Sequence, residues 1–172
     1  MMLRAVQSVL IIAAIGLWSA GATPAWAEGG DPKALAAALQ DATATLQGGL
    51  KASEREGTPI SAKFEIEHGK LQLSVYTMKG DNFMEVVADP KTGAIAKAEK
   101  ITDADDLKAS ASQKTAMAKA KVSLLTATET AVKGNPGFQA VSIFPELKGG
   151  SAVAEVTLLQ GTTFKKVTEK LD

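Results

Sequence analysis

The chain has no cysteine and a single histidine, His68, among its 172 residues. Without thiols there is no disulfide, no thiol nucleophile and no thiolate zinc site, and one imidazole excludes a two-histidine metal motif. A Ser-His-Asp triad would have to rest on His68. That residue lies between Glu67 and Gly69 in a polar stretch that reads as an exposed hairpin turn. Tryptophan is absent beyond Trp26, because Trp18 and Trp26 both fall in the first 27 residues. An excess of charge of one sign is missing too, with 19 Lys+Arg against 19 Asp+Glu. Phosphate backbones are bound by clustered cations that replace counterions, so this balance argues against nucleic-acid binding.

What is present begins with one apolar run. Arg4 precedes Val9 to Trp18, and Gly21, Pro24 and Ala25-Trp26-Ala27 follow. A positive start, a short hydrophobic region and small residues at the positions a signal peptidase reads describe a secretory signal, with the cut expected between Ala27 and Glu28. The run is shorter than the roughly 20 residues that a spanning helix needs, and Pro24 interrupts what comes after it. No cysteine follows it, which excludes a lipid-anchored form. The expectation is an exported, periplasmic protein that has no membrane association once residues 1–27 are removed.

From Glu28 onward the hydrophobic period alternates between helical and strand-like, which points to an internal repeat. Gly57-Thr58-Pro59-Ile60-Ser61-Ala62-Lys63-Phe64 aligns with Gly137 to Phe144 at an offset of 80. Past the first hairpin, Val75, Gly80, Phe83 and Val86 meet Val156, Gly161, Phe164 and Val167 at an offset of 81. Asp31-Pro32 opens a helix in which Leu35, Leu39, Ala42, Leu46 and Leu50 form one stripe over about 20 residues. Ile60, Ala62, Phe64 and Ile66 then alternate with Ser61, Lys63, Glu65 and Glu67, the pattern of a half-buried antiparallel strand. Turns at His68-Gly69 and Gly80-Asp81-Asn82 continue a meander, and Asp89-Pro90-Lys91-Thr92-Gly93 is a tight turn before a last short strand at 94–98. A second long helix is expected from Gln113 to Val132, burying Met117, Ala120, Leu124 and Ala131, and Gly134-Asn135-Pro136 ends it. A second meander follows. The fold expected is α+β, two tandem units over residues 28–100 and 113–172, each a long helix followed by an antiparallel three- to four-stranded meander, packed together and joined by a linker at 101–112.

Phe64-Glu65-Ile66, Leu73-Ser74-Val75-Tyr76, Glu85-Val86-Val87 and the closing Asp89-Pro90-Lys91-Thr92-Gly93-Ala94-Ile95, taken in this order, resemble the PepSY domain family. The resemblance covers nearly the whole chain after the signal as two copies, and the second copy ends without the Thr-Gly turn. It implies a noncatalytic exported module that binds another exported protein or peptide, with peptidases among the partners of the family. Some paired members resemble metal-binding proteins of lanthanide-using bacteria. No His-Glu-x-x-His segment follows, so this chain carries no such peptidase itself.

No nucleophile-base pair, metal triad or phosphate loop is recognisable, and the chain is expected not to be an enzyme and to need no cofactor. Asp103, Asp105 and Asp106 are the best candidates for a hard cation, because carboxylates on alternate residues supply calcium loops with oxygen. The same acids at a helix start would simply favour the positive end of its dipole. Glu65, Glu67, Glu85 and Asp89 complete the candidate set, for calcium or a lanthanide ion. The aromatic residues Phe64, Phe83, Phe144, Phe164 and Tyr76 read as core at repeat-related strand positions.

Overall fold

The computed structural model describes residues 31–172, and the expected signal at 1–27 lies outside them. The chain runs α1 (Pro32–Leu39), α2 (Leu46–Ser53), β1 (Thr58–Glu67), β2 (Lys70–Lys79), β3 (Asn82–Ala88), β4 (Ile95–Lys100), α3 (Ala104–Met117), α4 (Leu124–Lys133), β5 (Gln139–Lys148), β6 (Ser151–Gln160) and β7 (Thr163–Lys170). All seven strands form one antiparallel sheet in the order β4-β3-β2-β1-β5-β6-β7. The expectation of two tandem helix-plus-meander units packed together therefore fails. Its cause is the pairing of β1 with β5, Ala62 opposite Ile143 and Lys63 opposite Ser142. That pairing fuses the two meanders edge to edge, so they share one sheet and one core.

The helices also differ from the expectation. The stripe from Leu35 to Leu50 is carried by two helices, because residues 40–45 leave the helical path. Asp31 caps α1 and Thr45 caps α2. Between them, the amides of Thr43 and Ala44 donate to the carbonyl of Pro90, and the Thr43 hydroxyl donates to that of Lys91. The Asp89–Gly93 turn thus takes up hydrogen bonds that a continuous helix would have kept to itself. Leu35, Leu39, Leu46 and Leu50 are nevertheless all buried, as the stripe predicted. The expected second helix is likewise divided. Most of the expected linker at 101–112 is helix α3, and Ser123 caps α4 after a break.

Turn chemistry explains the hairpins. His68 and Gly69 both have positive φ, 49° and 76°, as a two-residue hairpin turn between Glu67 and Lys70 requires. Gly57 enters β1 at φ 150°, where a Cβ would stand 2.6 Å from the Met78 carbonyl oxygen, so only glycine fits. Bulges lie between Pro59 and Ser61 in β1 and between Ala140 and Ser142 in β5. These matching bulges make Ser61 the counterpart of Ser142 in the other meander, an offset of 81 rather than the 80 of the sequence alignment. Ile60 is buried but lies outside the main core cluster, and Phe144 is not in that cluster either. A bulge adds one residue to one strand, so alternation counted across it assigns the wrong face.

The sheet has two unlike faces. Ala62, Phe64, Leu73, Val75, Val86, Ile143, Val156 and Leu158 join Leu46, Leu50 and Leu124 in the core beneath α1, α2 and α4. Burial of each large aliphatic side chain contributes about 1.5–3 kcal/mol. The opposite face presents Ser61, Lys63, Glu65, Ser74, Tyr76, Glu85, Ser142 and Thr157, and α3 lies across it over β1, β5 and β6. Among the described residues no helix is long and apolar enough to cross a membrane.

Candidate functional site

The polar face of the β1–β4 half gathers most of the candidate acids. Glu65 and Glu67 alternate along β1, Gln72 and Lys70 stand opposite them on β2, and Glu85 on β3 pairs with Tyr76. The Gln72 amide donates to Glu67 at 2.6 Å, to Glu65 at 3.3 Å and to the Ser74 hydroxyl at 3.0 Å. Lys63 bridges to Glu65 at 2.6 Å, with both side chains largely covered, and its Nζ lies 5.9 Å from the centre of the Tyr76 ring. This arrangement leaves carboxylates partly desolvated beside one another. Burial raises the Glu85 carboxyl above its ordinary value, and Glu65 and Glu67 add to the rise, while the Ser74 hydroxyl and Lys63 oppose it. Burial, with Glu85 and Glu65 behind it, also pushes the Tyr76 hydroxyl far above the ordinary phenol range. Tyr76 therefore stays neutral, an apolar ring with a polar tip.

Helix α3 brings the remaining acids to the same region. Asp103 caps it, accepting from the amides of Asp105 and Asp106 at 2.9 and 3.2 Å. Asp106 is raised by partial burial first and by Asp103 next, with Lys63 opposing. Glu85, Glu99, Asp103 and Asp106 line one open cleft of about 180 Å³ together with Lys100. Asp105 sits in the first turn of the helix, where an acid favours the dipole. Among the described residues, no three Asp, Glu, His or Cys side chains are gathered closely enough to hold one ion.

Asp89 stands apart. Its carboxylate accepts from the amides of Lys91 and Thr92 and from the Thr92 hydroxyl, which holds it below its usual range, the Thr92 amide first. It builds the turn that receives Thr43 and Ala44. His68 is exposed at its hairpin, 3.9 Å from Glu67.

Lys63, Gln72 and Tyr76 on this face, and Ser110 and Gln113 on the helix α3 above it, are not site residues in the sequence reading. The one available signal was the polar alternation Ser61, Lys63, Glu65, Glu67. It marks a face, but which strands and which helix lie beside it depends on pairing.

The two sheet edges differ as well. β4 is exposed along nearly its whole length and is packed by β3, with no helix covering it to a comparable extent. β7 is backed by α4, and the carbonyl of Leu171 just after it accepts from the amides of Lys121 and Val122.

No family model matches the chain, and no curated protein matches it. A solved structure described as a "putative lipoprotein" from Clostridium difficile 630 is 16% identical over 69% of this chain and 87% of its own, at a TM-score of 0.33.

Proposed function

We propose that the chain is an exported, periplasmic, noncatalytic binding module of the PepSY type, which engages an extended segment of another exported protein, a peptidase among the candidates, along the β4 edge. The observation that carries this reading is β4 itself, an edge strand from Ile95 to Lys100 that is exposed at every residue after Ile95 and packs chiefly against β3. An edge strand keeps every second amide and carbonyl unpaired, and an added strand satisfies them. The sequence resemblance of residues 64–95 is what supports the PepSY part of this reading.

The test is a heteronuclear NMR titration of the chain with a pool of extended decapeptides. Shift changes centred on residues 95–100 are expected; changes confined to other strands, or none with any peptide, would reject the reading. Ala98→Pro and Glu99→Pro sharpen it. Successive amides of an antiparallel strand point alternately toward and away from the partner, so one of the two prolines removes an outward donor and leaves the β3 ladder whole. That variant should melt like the parent and lose the peptide.

A second reading rests on the cleft lined by Glu85, Glu99, Asp103 and Asp106. Four carboxylates at one opening would suit calcium or a lanthanide ion if the side chains drew together around it. Saturating metal should then raise the melting midpoint, since a ligand held at 100 times its Kd adds about 2.7 kcal/mol. An unchanged midpoint would discard this alternative.

A further inference from the structure

We propose that α3 is a displaceable strap, which lifts from the polar face of the sheet as a unit while the rest of the fold stays intact. The proposal does not depend on the β4 reading.

Helix α3 is the helix least committed to the core. Of its 14 residues only Ser110 and Ala116 are buried, and both are small. Leu107, its one leucine, is exposed. By contrast α2 and α4 bury Leu46, Leu50 and Leu124 against the opposite face. Elements that bury little apolar surface open at a lower free energy than the molecule unfolds.

Apart from Met117 at its C-terminal end, which packs against the core, the ties of α3 to the sheet are few and polar. Ser61 donates to Gln113 at 2.8 Å, and Lys114 meets the fully exposed Asp81 at 3.1 Å. An exposed ion pair of this kind contributes little, because water screens it. At its start α3 brings Asp103 and Asp106 to the cleft that already holds Glu85 and Glu99, so like charges face one another where the helix lands.

The space beneath is imperfectly filled. A cavity of about 80 Å³ lies between α3 and the sheet, lined by Ser61, Lys63, Tyr76, Phe144, Ser110 and Gln113 among others. On the same sheet face Ser142, opposite Lys63, has a fully buried hydroxyl without a hydrogen-bond partner. A closed interface that leaves a hydroxyl unsatisfied carries a cost that opening relieves, since water then reaches it. Both ends of the strap are anchored: the Ile101 amide donates to the Phe83 carbonyl, and Lys121 and Val122 donate to Leu171. The segment from Asp103 to Ala120 can therefore move between fixed points.

The absence of cysteine makes a direct test possible. In the full chain, Ser142→Cys places a thiol under α3 without breaking a hydrogen bond, and Ala62→Cys places one on the neighbouring strand but on the apolar face. Labelling by a thiol reagent under native conditions should be at least tenfold faster at 142 than at 62, and insensitive to low denaturant. Adding Gln113→Ala should accelerate it at 142 alone. Equal rates at both positions that follow global stability would overturn the proposal. Hydrogen exchange of the unsubstituted chain reads the same event without any variant: amides of residues 104–117 should exchange well before those of β1 and β5, and equal protection would reject the strap.

Discussion

Where β1 meets β5, the two faces of the sheet are one residue apart and are held by different physics. Ala62 and Ile143, both fully buried, face α2 and α4 in a continuous apolar core. Lys63 and Ser142, their neighbours in the same two strands, lie on the face that carries a polar helix, a small cavity and the Lys63–Glu65 ion pair. The first face is stabilised by area removed from water, which is insensitive to direction and pH. The second depends on particular hydrogen bonds and on charge, and a buried bond left unmade there costs more than a made one contributes. One sheet thus has a side that fixes the fold and a side free to bind or to open.

The contrast is broken most strongly from the apolar side. Leu50→Ala removes a fully buried side chain of α2 and should cost about 2–5 kcal/mol in urea unfolding; a loss no larger than that of a polar-face variant would erase the distinction. A smaller effect belongs to the polar side. Ser61→Ala deletes the bond to Gln113 and should cost about 0.5–1.5 kcal/mol at most, with faster hydrogen exchange concentrated in α3 rather than spread over the sheet.

The smallest effect has a sign that separates the faces. The Glu85 carboxyl is raised by burial above its unfolded value. Its contribution is therefore fully present below the unfolded carboxylate range and is lost as pH rises through the folded value. The ionised form thus costs stability at neutral pH. Glu85→Gln should raise the melting midpoint at pH 7, and the gain over the parent should shrink as pH falls to the carboxylate range. Parallel melting curves at pH 4 and pH 7 measure it, and a variant that is less stable at pH 7 would contradict the assignment. Asp89 has the opposite sign, because the turn amides hold it low and its contribution is lost on acidification.

Much of the local structure was legible. The leucine stripe, the cap at Asp31, the hairpin at His68-Gly69 and the turn closed by Gly93 follow from spacing and from backbone preferences confined to a few residues. The break at 40–45 was partly legible, in Thr45 as a cap ahead of Gly48 and Gly49, two residues that favour a helix poorly. It was overlooked because the stripe runs through it unbroken. Phe144 was misplaced for a different reason, since the paired strands are related by an offset of 81, which makes Phe144 the equivalent of Lys63 rather than of Phe64. The candidate acids were visible as residues. That Glu85 and Asp103 share a cleft was not visible.

The sequence by itself determined two things about this protein: the alternation of helical and strand segments with their turns, and the absence of the side chains that thiol and multi-histidine chemistry require. Both depend on composition and on contacts between near neighbours in the chain. The tertiary structure alone decided that two meanders become one sheet, that α3 covers its polar face and that β4 remains an open edge. Those outcomes rest on pairing between strands about eighty residues apart, where two hydrogen-bonded registers differ by a single residue and only the packing of the whole core selects one.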